Sequence, residues 1–146
     1  MREKHYNRWL VVVGGLIVQF CLGALYTWSV FQKPIQEIFG WSTTQVSLAF
    51  SINLAFIPVL MIFAGRLLPK YGPTKMVIAG ATVLSCGLLI ASRTSSLTML
   101  YLGYGVLGGS GIGITYGIPI ATCVKWFPDK RGMITGLIVA GFGLGS

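Results

Sequence analysis

Acidic side chains are almost missing from this sequence: Glu3, Glu37 and Asp129 are the only three among 146 residues. Histidine occurs once, as His5, and the three cysteines, Cys21, Cys86 and Cys123, form no C-x-x-C pair. Nucleophilic catalysis needs a base within hydrogen-bond reach. The long apolar stretches of this chain offer none, so an enzyme is not expected. The cysteine spacing suggests neither a zinc site nor a redox pair, and no metal or cofactor is expected. Charge of either sign is scarce too, at 10% of residues, where soluble domains carry about 25%. Disorder is excluded by the 54% hydrophobic content, because a disordered chain is poor in apolar residues. A formal charge of +8 raises the question of nucleic acid. The cations, however, sit in small groups between apolar runs and make no basic footprint. These features describe an all-α membrane protein with the lipid bilayer as its first partner.

A spanning helix takes about 20 mostly apolar residues. Runs of that kind predict spans near residues 9–32, 46–65, 76–92 and 97–120, and a fifth from 132 to 146 that is too short to cross. The chain is therefore expected to end inside its fifth helix. Met1-Arg2-Glu3-Lys4 resembles the start of a signal peptide. The apolar stretch that follows exceeds the roughly 7–15 residues of such a leader, so it is expected to stay as a span. Lys33-Pro34 is expected to end the first helix, Ser42 with Gln45 three residues later reads as a capping box, and Pro69 and Gly72-Pro73 are expected to break the chain before the third span. Arg2, Lys4, Arg8, Arg66, Lys70, Lys75, Lys125, Lys130 and Arg131 fall on one set of alternating loops, and Lys33 and Arg93 on the other. The positive-inside rule then puts the N-terminus in the cytoplasm.

Glycine is concentrated late in the chain. Gly105, Gly109, Gly113 and Gly117 recur every fourth residue, and Gly132, Gly136 and Ala140 repeat the spacing. Such faces let neighbouring backbones approach closely, either in a fixed bundle or between helices that rock. Gly103-x-Gly105-x-x-Gly108 matches a dinucleotide fingerprint only in letters, because no strand precedes it. Gly108-Gly109-Ser110-Gly111 resembles the serine motif of rhomboid proteases, but no base accompanies it. Polar residues within spans tend to face the bundle interior or a cavity. Gln19 shares a helix face with Gly15, Gly23 and Tyr26, while Asn53 is turned away from Ser47 and Ser51 on the second span. Gln19 and Asn53 fit interhelical hydrogen bonding or cavity lining. Tyr26 and Trp28 fit either an aromatic belt or a site.

Several strings together resemble the major facilitator superfamily, and within it the oxalate:formate antiporter branch. They are Asn7-Arg8-Trp9, Tyr26-Thr27-Trp28-Ser29, Gly111-x-Gly113-x-x-Tyr116-Gly117, Trp126-Phe127-Pro128-Asp129-Lys130-Arg131-Gly132 and Gly141-Phe142-Gly143-Leu144-Gly145. The 65–75 loop is similar to the superfamily's Gly-x-x-x-Asp-Arg/Lys-x-Gly loop, with Pro69 where an acid is usual, and Tyr104 stands about where many members have an arginine. The resemblance implies part of a six-helix half, in a protein of two such halves with alternating access around a midplane site. It implies transport of small carboxylates such as formate, oxalate, lactate or pyruvate, with basic ligands in a C-terminal half that this chain lacks. Tyr26 and Tyr116 match the branch's cavity-lining aromatics. With Gln19 and Trp28 they make the candidate substrate-binding set. Gly65, Arg66, Lys70, Gly72, Lys75, Asp129 and Arg131 make the candidate cytoplasmic gating loops. The competing expectation is a membrane fragment that acts as a scaffold or interaction protein and transports nothing.

Overall fold

The computed structural model describes residues 7–145. Arg2, Lys4 and His5 lie outside the described residues. Four helices are long and apolar enough to cross a membrane: α1 (Arg8–Phe39), α2 (Thr43–Tyr71), α3 (Pro73–Ser92) and α4 (Leu97–Trp126). A short 3-10 turn, Pro128–Lys130, leads into α5 (Arg131–Leu144). The protein is an all-α membrane protein, as the composition predicts.

Local chemistry explains the helix ends. The Asn7 side chain accepts a hydrogen bond from the Trp9 amide and starts α1. The helix tightens into a 3-10 turn at Ala24–Thr27 and then continues to Phe39. It does not end at Lys33-Pro34, because a proline removes one backbone donor without forcing a stop. Gly40 supplies the stop, at φ 65° in the left-handed region, with its N–H donating to the Gln36 carbonyl at 2.8 Å. That conformation is open to glycine and strained for residues with a Cβ. Ser42 and Gln45 form the expected capping box at the start of α2, at 3.0 and 3.3 Å. Pro69 does not break α2, which runs through it to Tyr71 and turns at Gly72, φ 79°. Pro73 then opens α3 at a first-turn position where no N–H is needed. α4 starts at the Ser96 cap, widens into a π-helical turn over Tyr101–Gly108, and reaches Trp126, beyond the expected end at 120.

Two compact units divide the described residues: 26–118, and 7–25 with 119–145. In the first, glycine flattens two sides of α4. A Cβ at Gly105 would meet Ile52 and the Ala49 carbonyl, one at Gly109 would meet the Asn53 backbone, one at Gly113 Ile57 and Leu60, and one at Gly117 Met61. The four-residue repeat thus lies along α2. On another side Gly103, Gly108 and Gly111 approach Gly87 and Leu84 of α3. Ala64, Met76 and Ile118 close the core of this unit. In the second unit Val12, Cys123, Phe127, Ile134 and Ile138 interlock.

Among the described residues nothing lies within 4 Å of a Cβ at Gly132 or Gly136. Gly141 and Gly145 pack instead, against Leu16, Phe20 and Gly23 of α1. A period of four marks a face, but the rotation of the helix decides which face meets a neighbour. Outside these contacts the helices present large apolar side chains, including Leu10, Ile17, Val30, Ile62 and Leu89. Only 17% of the apolar window of α2, and the same of α3, is buried. A surface this apolar suits lipid contact, and lipid leaves van der Waals packing and hydrogen bonds to hold helices together.

Candidate functional site

The second half of α1 and the first half of α2 enclose a cleft of about 240 Å³ lined by Tyr26, Trp28, Ser29, Gln32, Ser47 and Phe50. Tyr26 lies within the 3-10 turn Ala24–Thr27, and Trp28, Ser29 and Gln32 follow it on the helix. Gln32 and Gln36 lie one helical turn apart on α1, and Thr43 and Ser47 one turn apart on α2. The helices run antiparallel, so the pairs meet as rungs. The Gln32 Nε2 donates to the Ser47 Oγ at 2.8 Å, and the Thr43 Oγ1 donates to the Gln36 Oε1 at 3.2 Å. The Ser29 hydroxyl turns back to the Tyr26 carbonyl at 3.4 Å.

α4 is tied to α2 by polar contacts at two levels. The Tyr101 hydroxyl donates to the Gln45 carbonyl at 2.9 Å, and the Asn53 Nδ2 donates to the Tyr104 carbonyl at 2.7 Å. The Tyr104 ring stacks on Trp28, with centroids 4.1 Å apart and planes 22° from parallel. Lower on α4, the Thr115 hydroxyl donates to the Gly111 carbonyl at 2.9 Å, a back-bond that keeps this hydroxyl within its own helix.

The candidate binding residues fare differently. Tyr26 is 47% exposed and opens onto the cleft. Tyr116 is half-buried on α4 and does not line the cleft. Trp28 is only 7% exposed, so it forms a wall of the cleft instead of an aromatic-belt anchor. Gln19 is fully buried in the other unit, beside Gly141, and there it packs between helices. Of the residues expected in loops, Arg66 and Lys70 lie in the last turns of α2, Lys75 in the first turn of α3 and Arg131 at the start of α5; these and Asp129 are exposed, and the Lys70 ammonium lies 5.4 Å from the Tyr71 ring centre. Gly65 has open space at its Cβ position, and Gly72 makes the sharp turn between α2 and α3.

Gln32 and the Asn53–Tyr104 bond do not stand out in the sequence. The i, i+4 spacing of Gln32 with Gln36, and of Thr43 with Ser47, is the signal that could have found the first. The second has none, because it joins a side chain to a backbone carbonyl in a turn whose width the sequence does not announce.

The cleft offers phenol, indole, amide and hydroxyl groups and is lined by no charged side chain. Such a lining can orient a small polar molecule by hydrogen bonds, and it supplies no proton-transfer pair.

Comparison with known proteins matches residues 8–146 to the Major Facilitator Superfamily model. The chain is 33% identical over 148 residues to the uncharacterized MFS-type transporter YhjX of Escherichia coli, covering 100% of this chain and 37% of that protein. It is 33% identical over 140 residues to the oxalate:formate antiporter of Oxalobacter formigenes, covering 95% of this chain and 33% of that protein. It is 35% identical over 134 residues to monocarboxylate transporter 1 of Mus musculus, covering 91% of this chain and 27% of that protein. The chain thus spans about a third or less of the length of these relatives. With a family match across nearly its whole length, on a bundle of apolar helices, the chain belongs to the major facilitator superfamily.

Proposed function

We propose that the chain is the N-terminal part of a secondary active transporter that moves small organic anions, of the formate, oxalate, lactate or pyruvate kind, by alternating access. The observation that carries this reading is the polar cleft, lined by no charged side chain, onto which Tyr26 opens. A phenol donates a hydrogen bond to a carboxylate and offers a flat ring to the carboxylate plane. Neutral donors hold an anion less tightly than a full salt bridge does, which suits a site that must also release its cargo. The names of two relatives, an oxalate:formate antiporter and a monocarboxylate transporter, support the substrate class. In this reading the countercharge comes from basic residues of a C-terminal half, the obligate partner of this one. The protein sits in the cell membrane with its N-terminus in the cytoplasm, supported by the cation bias of the loops. The 65–75 segment, where α2 ends and α3 begins at Gly72, and the 129–131 turn then form contacts on that side that open and close.

The test is Tyr26→Phe and Tyr116→Phe in the complete transporter, with uptake into proteoliposomes measured over a range of each carboxylate. Loss of one neutral donor costs about 0.5–1.5 kcal/mol, so apparent affinity should fall roughly two- to tenfold at normal expression. Unchanged affinity in both variants would return the tyrosines to packing.

A further inference from the structure

Asn53 is fully buried in the middle of α2, and only one end of its amide is used. The Nδ2 donates to the Tyr104 carbonyl at 2.7 Å, while the Oδ1 has no hydrogen-bond partner. As filler, such a residue is inferior to leucine, because a buried polar atom without a partner loses its solvation. Its asset is the single donor, and that donor grips the π-helical turn of α4. A wide turn departs from the regular i to i−4 ladder, and such turns cluster where function requires an altered helix surface.

The backbone of α4 rests directly on this residue. A Cβ at Gly108 would come within 3.0 Å of the Asn53 Nδ2, and one at Gly109 within 2.5 Å of the Asn53 carbonyl oxygen. Tyr104, whose carbonyl is held, carries the ring that stacks on Trp28 at 4.1 Å. The Trp28 indole Nε1 is buried and makes no hydrogen bond, so the ring, and not the N–H, is held by its neighbours, with Tyr104 stacked on it. Trp28 in turn lines the cleft with Tyr26, Gln32 and Ser47.

We propose that Asn53 is a positioning residue for the cleft: by holding the Tyr104 carbonyl it fixes the wide turn of α4, which seats the Tyr104 ring behind Trp28 and so sets the wall that faces the cargo. Asn53 itself touches no cargo. The inference rests on the transporter reading for its kinetic consequence, while its structural half stands by itself. The relay makes Asn53 and Tyr104 act in series. Removing either should release Trp28, and removing both should release it no further.

The experiment labels the complete transporter with 5-fluorotryptophan and assigns the Trp28 resonance by its loss in Trp28→Phe. Asn53→Leu and Tyr104→Leu should move that resonance in the same direction, away from the ring-current position of the stack, and the double variant should match the single ones. In uptake assays Asn53→Leu should raise apparent KM about two- to tenfold with Vmax within about twofold, the scale of one lost hydrogen bond. If Asn53→Leu does not insert, Asn53→Ala carries the same test. A Trp28 resonance unmoved by loss of the Asn53 amide, or single effects that multiply in the double variant, would overturn the relay. If the unmodified transporter moves none of the carboxylates, the substrate assignment fails, and the Trp28 resonance still decides the role of Asn53.

Discussion

The two compact units hold their helices together by different means. In residues 26–118, glycines bring α4 close to α2, and amides and hydroxyls pin the helices: Asn53 on Tyr104 and Tyr101 on Gln45 between α2 and α4, Gln32 on Ser47 and Thr43 on Gln36 between α1 and α2. In residues 7–25 with 119–145, packing rests mainly on interlocked aliphatic groups, with Val12, Ile134 and Ile138 essentially without exposure. Each unit also has a hollow of similar size. One, about 240 Å³, is lined by phenol, indole, amide and hydroxyl groups. The other, about 280 Å³, is lined by Leu16, Ile17, Phe20, Gly141 and Leu144. Volume therefore does not distinguish a candidate site from an apolar groove. Donors and acceptors do, because in an apolar medium each of them must find a partner.

The aliphatic unit should be the one most hurt by truncation. Ile138→Ala opens a void where side chains interlock, and the expected loss is about 2–5 kcal/mol. Thermal unfolding in detergent measures it. Apparent KM for carboxylate uptake by the surviving folded protein should stay at its unmodified value. A shifted KM with unchanged stability would break the division of labour between the units.

The glycine-flattened unit should be hurt by addition instead. Gly109→Ala puts a methyl against the Asn53 backbone, where α2 has no flexible end to yield. Overpacking of this kind costs about 1–3 kcal/mol. Gly136→Ala, with open space at its Cβ position, should change stability by less than about 0.5 kcal/mol. Equal effects of the two would mean that the α2–α4 approach is no closer than an ordinary helix contact.

The smallest effect belongs to the rungs between α1 and α2. Gln32→Leu and Ser47→Ala should each destabilise by about 0.6 kcal/mol, the typical size of a hydrogen bond between membrane helices. The double variant should cost little more than either single one. Fully additive losses, read by the same unfolding assay, would show that the two groups act separately.

Some of this architecture was legible from composition and spacing. Four helices long and apolar enough to cross a membrane follow from runs of uncharged residues, and the Ser42–Gln45 capping box follows from a three-residue interval. Where reading failed, the cause was local. Pro34 and Pro69 look like stops, yet a helix can lose one donor and continue, and the stops are the left-handed Gly40 and the turn at Gly72. The spacing of Gly132, Gly136 and Ala140 looked like that of the α4 stripe, but α5 turns another side to α1. Gln19, a polar residue at membrane depth that fits either interhelical bonding or cavity lining, is fully buried beside Gly141.

The sequence by itself determined the class of the molecule and the scarcity of catalytic chemistry. Both depend on which residues are present, and a bilayer tolerates only long apolar helices with satisfied backbones. It also carried the family strings that single out Tyr26 and Tyr116. Tertiary structure alone decided that Trp28 is a wall and not a belt, that Asn53 holds a carbonyl of α4, and that Gln32 meets Ser47. Those contacts depend on helix rotation, on a π turn that shifts register by a fraction of a turn, and on which glycine faces meet. None of these is encoded in any one segment, because each is settled by the packing of two or three helices at once.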